Sequence, residues 1–105
     1  MLTMYKCKNF NKTGKILLPS KWRSQFGLLP GKLADLRFDH DNHDQIIIEK
    51  ANLESTHNKR LISENGSIHI PKELQQLLDI TEEEEYCLYI DEEDKNFVLK
   101  MISEH

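Results

Sequence analysis

The sequence predicts a mainly β protein with two short helices, assembled from two ββαββ units that share one core. Three observations lead there. The first is a stretch, Gly14-Lys15-Ile16-Leu17-Leu18-Pro19-Ser20-Lys21-Trp22-Arg23, that reads as a turn, a short strand and a helix opened by proline. The second is its return 52 residues later as Gly66-Ser67-Ile68-His69-Ile70-Pro71-Lys72-Glu73-Leu74-Gln75. The offset holds without a gap on either side: Phe10 meets Ile62, Trp22 meets Leu74, Phe26 meets Leu78, Leu36 meets Leu88, Phe38 meets Ile90 and Ile46 meets Val98. A fixed period of this kind marks one structural unit written twice. The third is size. The chain has 105 residues, and a unit of roughly 45 residues is too short to bury a self-sufficient core. The two units, 4–51 and 59–105 with a linker at 52–58, are therefore expected to form a single domain.

In the first unit, residues 4–10 alternate as a strand, with Tyr5 and Cys7 on one face and Lys6 and Lys8 on the other. Asn11-Lys12-Thr13-Gly14 is turn chemistry. The strand from Lys15 to Leu18 sends Ile16 and Leu18 one way and Lys15 and Leu17 the other. Pro19 ends it, because proline cannot donate to a ladder, and its fixed φ suits the first turn of a helix. Trp22 and Phe26, four apart, make the helix's buried face, and Gly27 terminates it. Leu29-Pro30-Gly31-Lys32 reads as a turn. Residues 33–39 form a strand with Ala34, Leu36 and Phe38 on one face and Leu33, Asp35 and Arg37 on the other. A polar hairpin loop, 39–44, leads to the strand around Ile46-Ile47-Ile48.

The second unit repeats the order. Its helix is expected to bury Leu74, Leu77 and Leu78, and its hairpin strands carry Tyr86, Leu88 and Ile90, then Phe97 to Ile102.

Charge separates the halves. The net charge is −4. Residues 1–52 hold nine Lys/Arg against five Asp/Glu, and residues 53–105 hold five against thirteen. The first half suits an anionic partner; the second suits solvent or a basic one.

This pattern resembles the swapped-hairpin barrels of the AbrB, SpoVT, MazE and MraZ group. The likeness is carried by Gly14-Lys15-Ile16-Leu17-Leu18-Pro19, Arg23, Phe26-Gly27-Leu28 and Pro30-Gly31. Asn11 to Lys15 together with Pro19 to Arg23 leans towards MraZ, which also carries two units per chain. The resemblance implies a swapped-hairpin β-barrel with a pseudo-two-fold axis, closed by one chain. It implies a sequence-specific transcriptional regulator that binds double-stranded DNA as a homo-oligomer, in the cytoplasm. The family's basic positions fall on Lys8, Lys15 and Arg23, with Lys6, Lys12 and Lys21 close by in sequence. In the second unit Arg60 matches Lys8, while Ser67 stands where Lys15 was and Gln75 where Arg23 was; Lys59 and Lys72 remain as nearby cations. The DNA face is therefore expected to be lopsided. Two alternatives stand beside this reading: a protein-interaction module that has lost DNA binding, docking through its acidic second repeat, and an antitoxin of the MazE kind. The second is weakened because no acidic tail follows the last predicted strand.

Other residue sets read as ordinary structure. His40 and His43 among Asp39, Asp41 and Asp44 match no metal-ligand spacing and read as a solvated hairpin tip. No phosphate-cradling glycine loop and no catalytic arrangement is placed by a motif, so neither an enzyme nor a cofactor is expected. Cys7 and Cys87 fit no metal spacing and, with no signal peptide apparent, read as free thiols of a reducing compartment. No apolar run is long enough to span a membrane.

Overall fold

The computed structural model describes residues 2–10, 13–39, 41, 45–78 and 84–102. Lys12, His40, His43 and residues 81–83 lie outside them. In chain order the described elements are β1 (Leu2–Asn9), β2 (Lys15–Leu17), α1 (Ser20–Phe26), β3 (Leu33–Phe38), β4 (Gln45–Lys50), β5 (Asn58–Leu61), β6 (Ser67–His69), α2 (Lys72–Leu77), β7 (Glu85–Asp91) and β8 (Asn96–Met101). The order, ββαββ followed by ββαββ, is the predicted one. No described helix is long and apolar enough to cross a membrane.

The strands form two antiparallel sheets and not a closed barrel. One has six strands in the order β1-β7-β8-β4-β3-β5; the other is the two-stranded ribbon β2-β6. The ribbon is where closure fails. Pro19 and Pro71 cut β2 and β6 to three residues each, and their rungs are taken up by each other, which leaves β1 and β5 as sheet edges.

The pairing is interlaced. β1 pairs with β7, with Cys7 opposite Cys87 and Lys8 opposite Tyr86. β5 pairs with β3, with Lys59 opposite Asp35 and Arg60 opposite Ala34. Adding 52 to Cys7 and subtracting 52 from Cys87 gives Lys59 and Asp35, so the two seams share one register. The core lies between the ribbon and the large sheet. Ile16 and Ile68 from the ribbon, Ile46 and Ile48 from β4, and Phe97 and Leu99 from β8 are all essentially inaccessible. Each such side chain stabilises the fold by about 1.5–3 kcal/mol. Phe26 of α1 meets Phe97 edge to face at 5.3 Å.

Four expectations are corrected. Ile46 is not the counterpart of Val98. The rungs Phe38–Ile46 and Leu36–Ile48 match Ile90–Phe97 and Leu88–Leu99, because the second hairpin loop is one residue shorter. Trp22 is not a core anchor but sits half-buried at the core's rim. Its indole N–H needs an acceptor and donates to Glu92 Oε1 at 3.1 Å, while Tyr5 packs edge to face on its ring at 5.6 Å. Leu77 points outward, 53% exposed, while Leu74 and Leu78 carry the burial of α2. Finally, Cys7 and Cys87 are not free thiols: they face each other across the β1–β7 seam and are joined as a disulfide. Strand pairing brings together two residues that are 80 apart in sequence.

Candidate nucleic-acid interface

The turn glycines and the prolines confine the β2–β6 ribbon, and alternation then fixes what it shows to solvent. Ile16 stands opposite Ile68 and both turn inward; Lys15 stands opposite His69, and Leu17 opposite Ser67. Lys15 and Leu17 are exposed and His69 is half-buried. Two further backbone bonds, Leu18 N–H to Gly66 O at 3.0 Å and Ile70 N–H to Gly14 O at 2.8 Å, close the ribbon's ends.

Arg23 projects from α1 onto one of those ends. Its Nε donates to Leu18 O at 2.9 Å, and its guanidinium lies against Gly66, where any Cβ would collide with it. Gly66 also has φ +85°, a left-handed backbone that suits glycine. The brace uses one of the five guanidinium N–H donors. At the other end Gln75 of α2 makes the corresponding contact, Nε2 to Ile70 O at 2.7 Å, with its amide packed against Gly14. The geometry of the brace is retained in the second half, and the charge is not. Lys15 and Arg23 therefore mark the two ends of one short ribbon, roughly 10 Å apart along the strand.

The other predicted cations are distributed elsewhere. Lys6 and Lys8 are exposed on β1, opposite Leu88 and Tyr86, at one edge of the large sheet. Arg60 is exposed on β5 at the opposite edge, and its Nη1 donates to Lys59 O at 2.9 Å. Lys21 is exposed on α1, with Nζ 4.9 Å from the Trp22 ring centroid. Lys72 is exposed at the start of α2. Lys15 lies on the ribbon itself, and Arg23 touches its far end through Leu18 O and Gly66.

Lys59 is not an available cation. Its Nζ bonds Asp35 Oδ1 and Ser55 Oγ, each at 2.8 Å, and Asp35 is 1% exposed. Asp35 also accepts from the Asn52 amide at 3.0 Å and from Ser55 Oγ at 2.9 Å. Burial opposes ionisation of this carboxyl, but the hydrogen bonds from Lys59, Asn52 and Ser55 outweigh it and hold the pKa below its ordinary 3.8. Sequence reasoning placed Asp35 on the sheet's polar face and left 52–58 as a loose linker; no local pattern announces that the carboxylate gathers that segment. Burial also raises the Tyr86 pKa.

Among the described residues, no three His, Cys, Asp or Glu side chains converge to hold a metal ion. No family model and no curated protein matches the chain. The chain is similar to the solution structure of PHS018 from Pyrococcus horikoshii, at 17% identity over 93% of this chain and 87% of that one, with a TM-score of 0.50. At that identity the likeness bears on fold alone.

Proposed function

We propose that this protein is a sequence-specific, double-stranded DNA-binding transcriptional regulator of the AbrB/MraZ-like type, acting as a homo-oligomer. Its architecture is a variant of the swapped-hairpin barrel, in which units 4–51 and 59–105 exchange strands across a pseudo-two-fold axis. The shared register of the β1–β7 and β3–β5 seams supports the architecture, and the open edges β1 and β5 are where further chains would associate.

The observation that carries the DNA-binding reading is the contrast between Arg23 and Gln75. Both brace a ribbon end by donating to a backbone carbonyl. A neutral amide is sufficient for that task, so the positive charge at position 23 is surplus to folding. Of the Arg23 guanidinium nitrogens only Nε is hydrogen-bonded among the described residues, and arginine is suited to phosphates and to guanine edges. Lys15 adds an exposed cation on the ribbon that Arg23 braces, and Lys8 and Lys6 add two on β1, an edge of the large sheet. Lys21, Arg60 and Lys72 are auxiliary, and Lys12 is close to Lys15 in sequence. A chain of net charge −4 gains no long-range attraction to DNA, so binding depends on this segregated set and on two such faces meeting one duplex.

Fluorescence anisotropy with a panel of duplexes over a salt series tests the proposal. The expected result is saturable, salt-dependent binding that Lys15→Ala and Arg23→Ala each weaken. Absence of binding to every duplex at low salt, or indifference to both substitutions, overturns the assignment. The acidic second half, with thirteen Asp/Glu against five Lys/Arg, favours a basic protein partner as a second reading.

A further inference from the structure

A groove of about 570 Å³ opens between α2, β3 and the segment entering β5, within the roughly 300–1,000 Å³ typical of ligand pockets. Its apolar wall is Leu36, Phe38, Leu74 and the outward-pointing Leu77. Its polar rim includes Asp39, Asp41, Glu73 and His57. Arg37 also lines it, but its Nε is paired with Glu49 Oε2 at 2.9 Å.

The other half of the molecule shows what such a place accommodates. Subtracting 52 turns His57 into Tyr5, Leu74 into Trp22 and Glu73 into Lys21. Tyr5 and Trp22 bring two aromatic rings together there, edge to face, and the Lys21 ammonium stands over the indole. In the second half the rings are replaced by an imidazole and an isobutyl group, and the cation by a carboxylate. The exchange removes aromatic volume and inverts the sign of the charge above it.

We propose that this groove binds an aromatic ring presented by a basic polypeptide segment of a partner protein. The ring would lie against Leu74, Phe38 and Leu77, and an adjacent lysine or arginine would face Glu73 and Asp41. The corresponding place built on Tyr5, Lys21 and Trp22 holds ring and cation together; the groove holds neither and offers an apolar wall to the one and carboxylates to the other. The exposure of Leu77 then has a use, as the apolar lip of the groove. This inference rests on the duplicated-unit reading of the fold and not on DNA binding.

The test is a titration of the full-length, isotope-labelled chain with three terminally blocked tripeptides, Lys-Trp-Lys, Glu-Trp-Glu and Lys-Ala-Lys, followed by NMR. The expected result is saturable shifts confined to the amides of residues 36–39, 57 and 73–77, with Lys-Trp-Lys at least ten-fold tighter than either control. Glu73→Lys, an exposed substitution that leaves the fold unchanged by circular dichroism, should weaken Lys-Trp-Lys at least ten-fold. Leu74→Trp, which returns the first half's own ring to the groove, should abolish binding. Equal affinity for the three peptides, shifts centred on α1, or indifference to Glu73→Lys overturns the site. Duplex binding measured on the same sample separates the two proposals: a chain that binds peptide and no duplex keeps this site and loses the proposed function, and the converse result does the opposite.

Discussion

The β1–β7 and β3–β5 seams are locked at the same rung by different chemistry. At the first, Cys7 and Cys87 are joined as a disulfide. At the second, Lys59 and Asp35 form an ion pair reinforced by Ser55 and the Asn52 amide. The covalent lock restricts the unfolded chain and answers to reductant. The ionic lock works in the folded state, answers to acid and organises the connecting segment as well. One position in a repeated framework thus has to tie an edge strand down, and the physics of the tie is free to vary.

Breaking each lock measures that freedom. The largest effect is expected from the disulfide. In the chain-entropy treatment, a loop closed by residues 80 apart contributes about 4.5 kcal/mol. Urea denaturation with and without dithiothreitol should show a loss of that order, and Cys7→Ser/Cys87→Ser should lose the sensitivity to reductant. Next comes Asp35→Ala, which strands the Lys59 ammonium and the Asn52 amide and should cost about 3 kcal/mol. The comparison sharpens if Asp35→Cys/Lys59→Cys, which copies the first seam onto the second, oxidises and recovers stability. A failure to crosslink would show that the seams are less alike than their registers.

Acid should separate the two locks. The Asp35 pKa lies below its unfolded value of 3.8, so its stabilisation is fully present above that value. It is lost as the pH falls through the folded value. A plot of unfolding free energy against pH should therefore fall below pH 3.8 in the parent chain and fall less steeply in Asp35→Asn, while the disulfide lock stays indifferent. A smaller effect comes from Gly66→Ala, which puts a Cβ into the Arg23 guanidinium at a positive φ. It should cost about 1–3 kcal/mol by thermal denaturation and weaken duplex binding through the displaced brace. The smallest effect on stability is Lys15→Ala, expected within about 0.5 kcal/mol of the parent. Its signature is instead a duplex-binding salt slope shallower by about one.

Local pattern made some residues legible and left others hidden. Pro19 and Pro71 forced strand ends, and Ile16 and Ile68 followed alternation into the core, because both effects act within a few residues. Leu77 and Trp22 were misplaced because a two-turn helix offers more apolar positions than its neighbours can cover, and only the packed sheet selects among them. Of the cations, Lys15 and Arg23 were singled out by the family resemblance, but Arg23's brace on Leu18 O and the pairing of Lys59 with Asp35 required knowledge of which strands pair.

By itself the sequence determined a duplicated ββαββ order, the inward and outward alternation of its strands, and a first half richer in cations than the second. These follow from chain stereochemistry and side-chain type, which operate over short stretches. Only the tertiary structure decided that β1 crosses to β7 and β5 to β3, that the sheets remain open, that two cysteines 80 residues apart are bonded, and that a groove stands where the other half packs Tyr5 on Trp22. Those outcomes depend on which distant surfaces compete for the same neighbour, and that competition is resolved only when the whole core forms.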